Sequence, residues 1–291
     1  TRRYITRPAR MLLRAGLARL GYRPSWRCLS SVPRRGGLPA VPRIGELRTV
    51  RQVVDTHAQH RKQYQPKDLG ASWNTLGKLV RERSEKRVLR EAPKLLQPLA
   101  EHTEQALPKF YARPLANTVN GLGSLHASAG WSAGDALLAG LAKHCTRRVR
   151  KMEAQHLSTT VHGFAKMGRR EPALLDAIAE EAVQRGLREF APQALSNTAW
   201  AYATAGHAAP ALLDAIATEA AQRSLREFKP QELTNTAWAF ATADHAAPAL
   251  LGAIAQEAAA RLRDFTPQEL SNTAWAYATA GHPAPALLDA I

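Results

Sequence analysis

The sequence predicts an all-α fold: a right-handed-type superhelical solenoid of stacked helix pairs with a period of about 38 residues. Three observations predict it. The chain aligns with itself at a regular shift, so that Leu195-Ser196-Asn197-Thr198-Ala199-Trp200-Ala201-Tyr202 returns as Leu233-Thr234-Asn235-Thr236-Ala237-Trp238-Ala239-Phe240 and again as Leu270-Ser271-Asn272-Thr273-Ala274-Trp275-Ala276-Tyr277. The composition is 45% hydrophobic but only 6% aromatic, rich in alanine and poor in β-branched runs, which favours closely packed helices over sheet. Proline recurs at helix starts, as at Pro192, Pro210 and Pro267, and glycine at stops such as Gly206 and Gly281.

Residues 1–45 contain 11 arginines, no lysine and no acidic residue. That composition predicts a mitochondrial transit peptide and a disordered linker, with the matrix as destination. Met11 to Leu20 spells an amphipathic helix with Leu13, Leu17 and Leu20 on one face. Arg27-Cys28-Leu29 before Ser30-Ser31 resembles a matrix-protease site. A plastid address is the alternative, although the serine content it calls for is missing; a basic arm that binds RNA is the other. The chain starts with threonine and stops inside a recognisable unit, so further residues are expected on both sides.

Residues 46–153 read as degenerate, basic helical repeats, with faint units starting at Leu69 and Leu115. Residues 154–291 read as regular 37–38-residue repeats starting at Leu157, Leu195, Leu233 and Leu270, the last truncated. Six units result. In each, a first helix such as Pro192 to Ala205 opens on a proline whose missing N–H is not needed there. Thr266-Pro267-Gln268-Glu269 has the form of a capping box, and Gly206 and Gly281 provide stops that Asp244 replaces in one unit. A second helix is expected from Pro210 to near Arg226. Two such short helices cannot bury their apolar faces alone; stacking neighbours does so, with Leu195, Ala199 and Tyr202 on one inward stripe.

The net charge is +16, but it is unevenly spread: +11 on residues 1–45, +9 on 46–153 and −4 on 154–291. A phosphate-binding surface therefore belongs to the middle segment. Its candidates are the Arg81–Arg90 stretch and the run Arg147, Arg148, Arg150 and Lys151, with a solvated helix face as the plainer reading. Asn197, Asn235 and Asn272 lie opposite the Leu/Tyr stripe together with Thr204, Thr242 and Thr279. In a helical-repeat RNA binder such polar positions read bases; a ladder of asparagines joining neighbouring units fits the sequence equally. Trp200, Trp238 and Trp275 offer rings for base stacking, but a tryptophan at the structural period reads first as packing between units. Glu181–Arg185, Glu219–Arg223 and Glu257–Arg261 are spaced i, i+4 and read as exposed ion pairs before a phosphate-facing ladder. His207, His245 and His282 read as turn residues or weak phosphate contacts, too far apart to share a metal.

Cys28 and Cys145 are too few for a disulfide framework or a cysteine metal site, which fits a reducing interior. No apolar stretch approaches the length of a membrane span. No HExxH, Walker loop, GxSxG or CxxC pattern occurs. The expectation is a protein with no catalytic residue, no metal and no cofactor.

The recurring Leu-(Ser/Thr)-Asn-Thr-Ala-Trp-Ala-(Tyr/Phe)-Ala resembles the octotricopeptide and heptatricopeptide repeats of organelle RNA-binding proteins. These include RAP-domain proteins, FAST-kinase-like mitochondrial proteins and the helical subunit of the kinetoplastid RNA-editing substrate-binding complex. The resemblance covers residues 67–291 and is most specific from Leu157 onward. It implies single-stranded organellar RNA as partner, ribosomal or RNA-processing proteins beside it, and Asn197, Asn235 and Asn272 facing RNA. The unit at Leu157 departs from it, with Thr159 for asparagine and His162 for tryptophan, and no RAP domain is visible. A protein-interaction scaffold, such as an organellar ribosome component, is the alternative function.

Overall fold

The computed structural model describes residues 40–291, so the leader reading, including Met11–Leu20 and the site around Cys28, lies outside the described residues. Val41–Ile291 forms one compact unit. Among the described residues it contains α-helices and short 3₁₀ turns and no strand, as the repeat pattern predicts. Helix α1 (Val50–His60) precedes α2 (Pro66–Leu79), α3 (Arg83–Glu91) and α4 (Gln97–Ala106). They are followed by α5 (Ala112–Ala129), α6 (Asp135–Thr146), α7 (Ala154–Lys166) and α8 (Pro172–Arg185). The regular units continue as α9 (Pro192–Ala205), α10 (Pro210–Gln222), α11 (Pro230–Thr242), α12 (Pro248–Ala260), α13 (Pro267–Ala280) and α14 (Pro285–Leu288).

Two layers result. The first helices of the six units, α2, α5, α7, α9, α11 and α13, pack each on the next, and the second helices α4, α6, α8, α10, α12 and α14 do the same. Helix α1 joins the second layer through His57, whose Nε2 lies 2.9 Å from Nδ1 of His102 on α4. Leu195, Ala199 and Tyr202 are fully buried as the stripe requires. Their counterparts Leu233, Ala237 and Phe240 repeat the setting.

The predicted punctuation holds at the atoms. Pro192, Pro210, Pro230, Pro248 and Pro267 each sit in a first turn. Thr266 and Glu269 form the reciprocal capping box. Gly206 and Gly281 adopt left-handed φ of 58° and 59°, and Asp244 takes the same turn at 49°. The second helix is shorter than expected. It stops at Gln222, where Arg223 turns to extended backbone, and Leu225–Glu227 makes a separate 3₁₀ turn.

The first-helix layer packs closely for two reasons. In α2, α5 and α7 glycine lies at the crossings: a Cβ on Gly121 would stand 2.1 Å from the Trp73 carbonyl oxygen, and one on Gly163 2.7 Å from that of Val119. In the later units buried Ala201, Ala239 and Ala276 occupy the register of Gly163. Small hydroxyls then tie helix to helix: Ser158 donates to the Ala194 carbonyl at 3.0 Å, and Thr234 meets Thr273 at 3.0 Å. Trp73 is fully buried at the register of Ala199, and its indole N–H donates to Thr103 at 2.8 Å. Among the described residues no helix is long and apolar enough to cross a membrane.

Candidate nucleic-acid interface

Each first helix turns one stripe away from the core. In α9 it runs Gln193, Asn197, Trp200 and Thr204, spaced as one helical face. Asn197 and Asn235 are half-buried and Asn272 exposed; Thr204, Thr242 and Thr279 are exposed. The six candidates on the regular units therefore share one face of the first-helix layer.

The tryptophans join this stripe and stack on one another. Ring centroids are 6.3 Å apart for Trp200–Trp238 and 6.4 Å for Trp238–Trp275. His162 continues the row edge-on to Trp200 at 5.2 Å. Burial, and then the charge of Lys166, pushes the His162 imidazole down to about 4, so it is neutral near pH 7. Farther along, Asn120 donates to the Asn74 side-chain oxygen at 3.0 Å. The tryptophans are thus packing between units, with Trp275 still 48% exposed.

Carrying the same registers into the fainter units changes the chemistry of the face. The Gln193 register holds Lys67, Arg113 and Gln155 in α2, α5 and α7; the Thr204 register holds Lys78, Ser124 and Lys166. No acidic residue occupies these registers in any unit. The face is polar and neutral over α9, α11 and α13 and basic over α2, α5 and α7. Burial, followed by the nearby charge of Arg81, lowers the Lys166 ammonium from its ordinary value. Sequence reasoning did not single out Arg113, Asn117 or Lys166. Aligning the degenerate units column by column on Leu69, Leu115 and Leu157 was the signal that finds them.

A groove of about 900 Å³ opens on this basic part. Arg113 and Asn117 of α5 meet Gln155 and Thr159 of α7 there, joined by Asn74 of α2. Arg148 and Lys151, from the turn before α7, also line it. His156 lies against its wall, its imidazole lowered by burial first, with Glu153 opposing and Arg113 reinforcing the shift. Tyr111, the residue before α5, is 52% exposed on the groove.

The basic run of the turn is therefore divided. Arg148 lines the groove, Arg147 and Arg150 border a hollow beside α8, in the second layer, and Lys151 lines both. Arg150 stands 4.0 Å from Glu181. Arg148 and Arg150 thus open on different hollows, with Lys151 between them.

The recurring Glu–Arg pairs do more than the i, i+4 spacing suggests. Besides Glu219, Arg223 donates to the main-chain carbonyls of Phe190, Arg188 and Leu187 at 2.6, 2.8 and 3.1 Å. Arg185 grips Met152, Arg150 and Val149 in the same way, and Arg261 reaches Phe228 and Arg226. Each guanidinium clasps the turn of the preceding unit that leads into its next first helix. Arg148 makes a lesser version, to the Pro108 carbonyl at 3.3 Å, with His144 in place of the glutamate. The turn histidines also bridge units, His207 to Asp176 at 2.7 Å and His245 to Asp214 at 2.8 Å. Gly252 replaces the aspartate in the next unit, beside His282.

Among the described residues no group of three His, Cys, Asp or Glu side chains is placed to hold a metal ion. Burial raises the Cys145 thiol to about 12, leaving it a protonated core residue. The arrangement offers cations, amides and rings on an open face, which suits reversible binding of a polyanion.

No curated protein matches the chain. Residues 133–291 match the family model of the RNA-editing substrate-binding complex 6 protein, RESC6, a span that starts just before α6 and takes in every regular unit. Of the groups that the repeat resembles, it is the RNA-editing one that the match supports. With more than half of its length covered, this all-helical repeat chain belongs to the RESC6 family.

Proposed function

We propose that this protein is a non-enzymatic RNA-binding member of a mitochondrial RNA-editing complex, holding single-stranded RNA along the first-helix layer. The family's own description, an RNA-editing substrate-binding complex protein, supports the setting. The observation that carries RNA binding is the change of the solvent-facing stripe from neutral to basic over α2, α5 and α7, where Lys67, Lys78, Arg113 and Lys166 stand on registers without a carboxylate. Phosphates engage these cations, and the amides of Asn117, Asn197, Asn235 and Asn272 lie alongside for base edges. The mitochondrial matrix suits both the editing role and the arginine-rich N-terminal segment.

Binding of a labelled single-stranded RNA, followed by anisotropy against salt, tests this. A surface engaging about four phosphates loses roughly fiftyfold in affinity between about 50 and 200 mM salt. Arg113→Gln with Lys78→Gln reduces the slope of log affinity against log salt by about 1.4. Affinity that ignores both salt and these substitutions overturns the reading in favour of a scaffold whose repeats hold ribosomal or RNA-processing proteins.

A further inference from the structure

We infer that the groove between α5 and α7 is a nucleotide pocket, which takes one unpaired nucleotide of the bound strand with its base turned into the protein. The inference deepens the RNA-binding reading and rests on it. Three features separate the groove from the rest of the basic face. Its volume of about 900 Å³ lies within the range of sites that enclose a small organic ligand. The stripe elsewhere is a row of packed side chains, offering a strand contacts along one side only.

The lining also has the two chemistries that a nucleotide needs. Arg113, Arg148 and Lys151 supply positive charge for the flanking phosphates, against the single carboxylate of Glu153, whose side chain is 80% exposed. Asn74, Asn117 and Gln155 supply amide donors and acceptors, the groups that match a Watson–Crick edge.

Tyr111 is the third feature. The residue before each first helix is Gln65, Tyr111, Glu153, Ala191, Lys229 or Thr266, so only this unit places an aromatic ring there. The ring is 52% exposed on the groove, while the preceding Phe110 fills the core. The packing of the units does not account for it. A base lying against the ring would cover it, and stacking of this kind is tolerant of base identity. Free duplex is excluded, since its bases are paired edge to edge and cannot enter singly.

The test uses the full chain, the four nucleoside 5′-monophosphates, inorganic phosphate and a ten-nucleotide single-stranded RNA. Amide and side-chain NMR shifts on adding a nucleoside monophosphate are expected at Tyr111, Asn117 and Gln155, with affinity above that for inorganic phosphate. Tyr111→Ala, at an exposed position, is expected to weaken the monophosphate about tenfold. Asn117→Ala is expected to weaken it several-fold and to change the order of preference among the four bases. Both leave the salt slope of the ten-nucleotide RNA unchanged, because neither removes a cation.

Two results would overturn the pocket while RNA binding stands: equal affinity for inorganic phosphate and nucleotide, or salt-dependent RNA binding indifferent to Tyr111→Ala and Asn117→Ala. Absence of any RNA binding would remove the pocket and the functional reading together.

Discussion

Arg223 carries at one residue what an isolated helix pair cannot supply, a polar connection to the unit before it. Its guanidinium meets Glu219 at 2.6 Å while three carbonyls of the Leu187–Phe190 turn accept from it, and its side chain is only 17% exposed. This differs from an exposed i, i+4 pair, which contributes a few tenths of a kcal/mol. Arg223→Met leaves the carbonyls without donors and Glu219 without its cation, so a loss of about 2–3 kcal/mol is expected in urea unfolding. Arg223→Lys recovers only part of it, since an ammonium cannot span the fork that the planar guanidinium fills. Equal stability of Arg223→Met and the parent would show that the clasp contributes nothing. The spacing Glu-x-x-x-Arg was legible in the sequence; the carbonyl partners, more than 30 residues away, were not.

At the scale of the element, the closeness of α2 and α5 depends on a missing side chain. Gly121 faces the Trp73 main chain so nearly that an added Cβ meets carbonyl oxygen and carbon at 2.1 and 2.3 Å. Backbone cannot swing aside as a flexible side chain can, so Gly121→Ala forces the helices apart and costs about 1–3 kcal/mol or more. Gly45→Ala is the matched control, with nothing within 4 Å of the added atom, and is expected to be neutral within about 0.5 kcal/mol. Thermal unfolding of the two variants compares them directly. A Gly121→Ala protein as stable as Gly45→Ala would mean that the two helices are not held at this separation. Asn74 and Asn120 of the same two helices meet at the surface, and both the Asn120–Asn74 hydrogen bond and the groove wall depend on that separation.

Across the whole molecule, five histidines have their imidazoles lowered from the ordinary value, with burial the largest cause in each: His57, His102, His144, His156 and His162. His57 and His162 are pushed down to about 4 from an ordinary 6.5. Because the folded values are lowered, the unfolded chain binds protons first as pH falls. The contribution to stability is complete above pH 6.5 and is lost progressively between 6.5 and 4. Thermal unfolding is therefore expected at a lower midpoint at pH 5 than at pH 7, with His57→Gln reducing the difference. A midpoint independent of pH across this window would contradict it. His57 and His102 join α1 to α4, so the end of the array near α1 is expected to open first in acid, seen as early loss of amide protection there.

The period, the six units, the helix starts at Pro192, Pro230 and Pro267 and the left-handed stops at Gly206, Asp244 and Gly281 could all be read from the sequence. They are local: a helix start or stop is determined by a few adjacent residues, and repetition multiplies the signal. The stripe of Asn197 and Thr204 was legible for the same reason, since one helical turn places them together. Tertiary structure alone decided which residues from different units meet. It divided Arg147 and Arg150 from Arg148, turned the tryptophans into a stacked row, sent Arg223 to the preceding turn and brought Arg113 and Asn117 opposite Gln155 across a groove. Those meetings depend on how far each unit advances and turns on the last, which follows from the size of side chains at the crossings and from no single stretch of the chain.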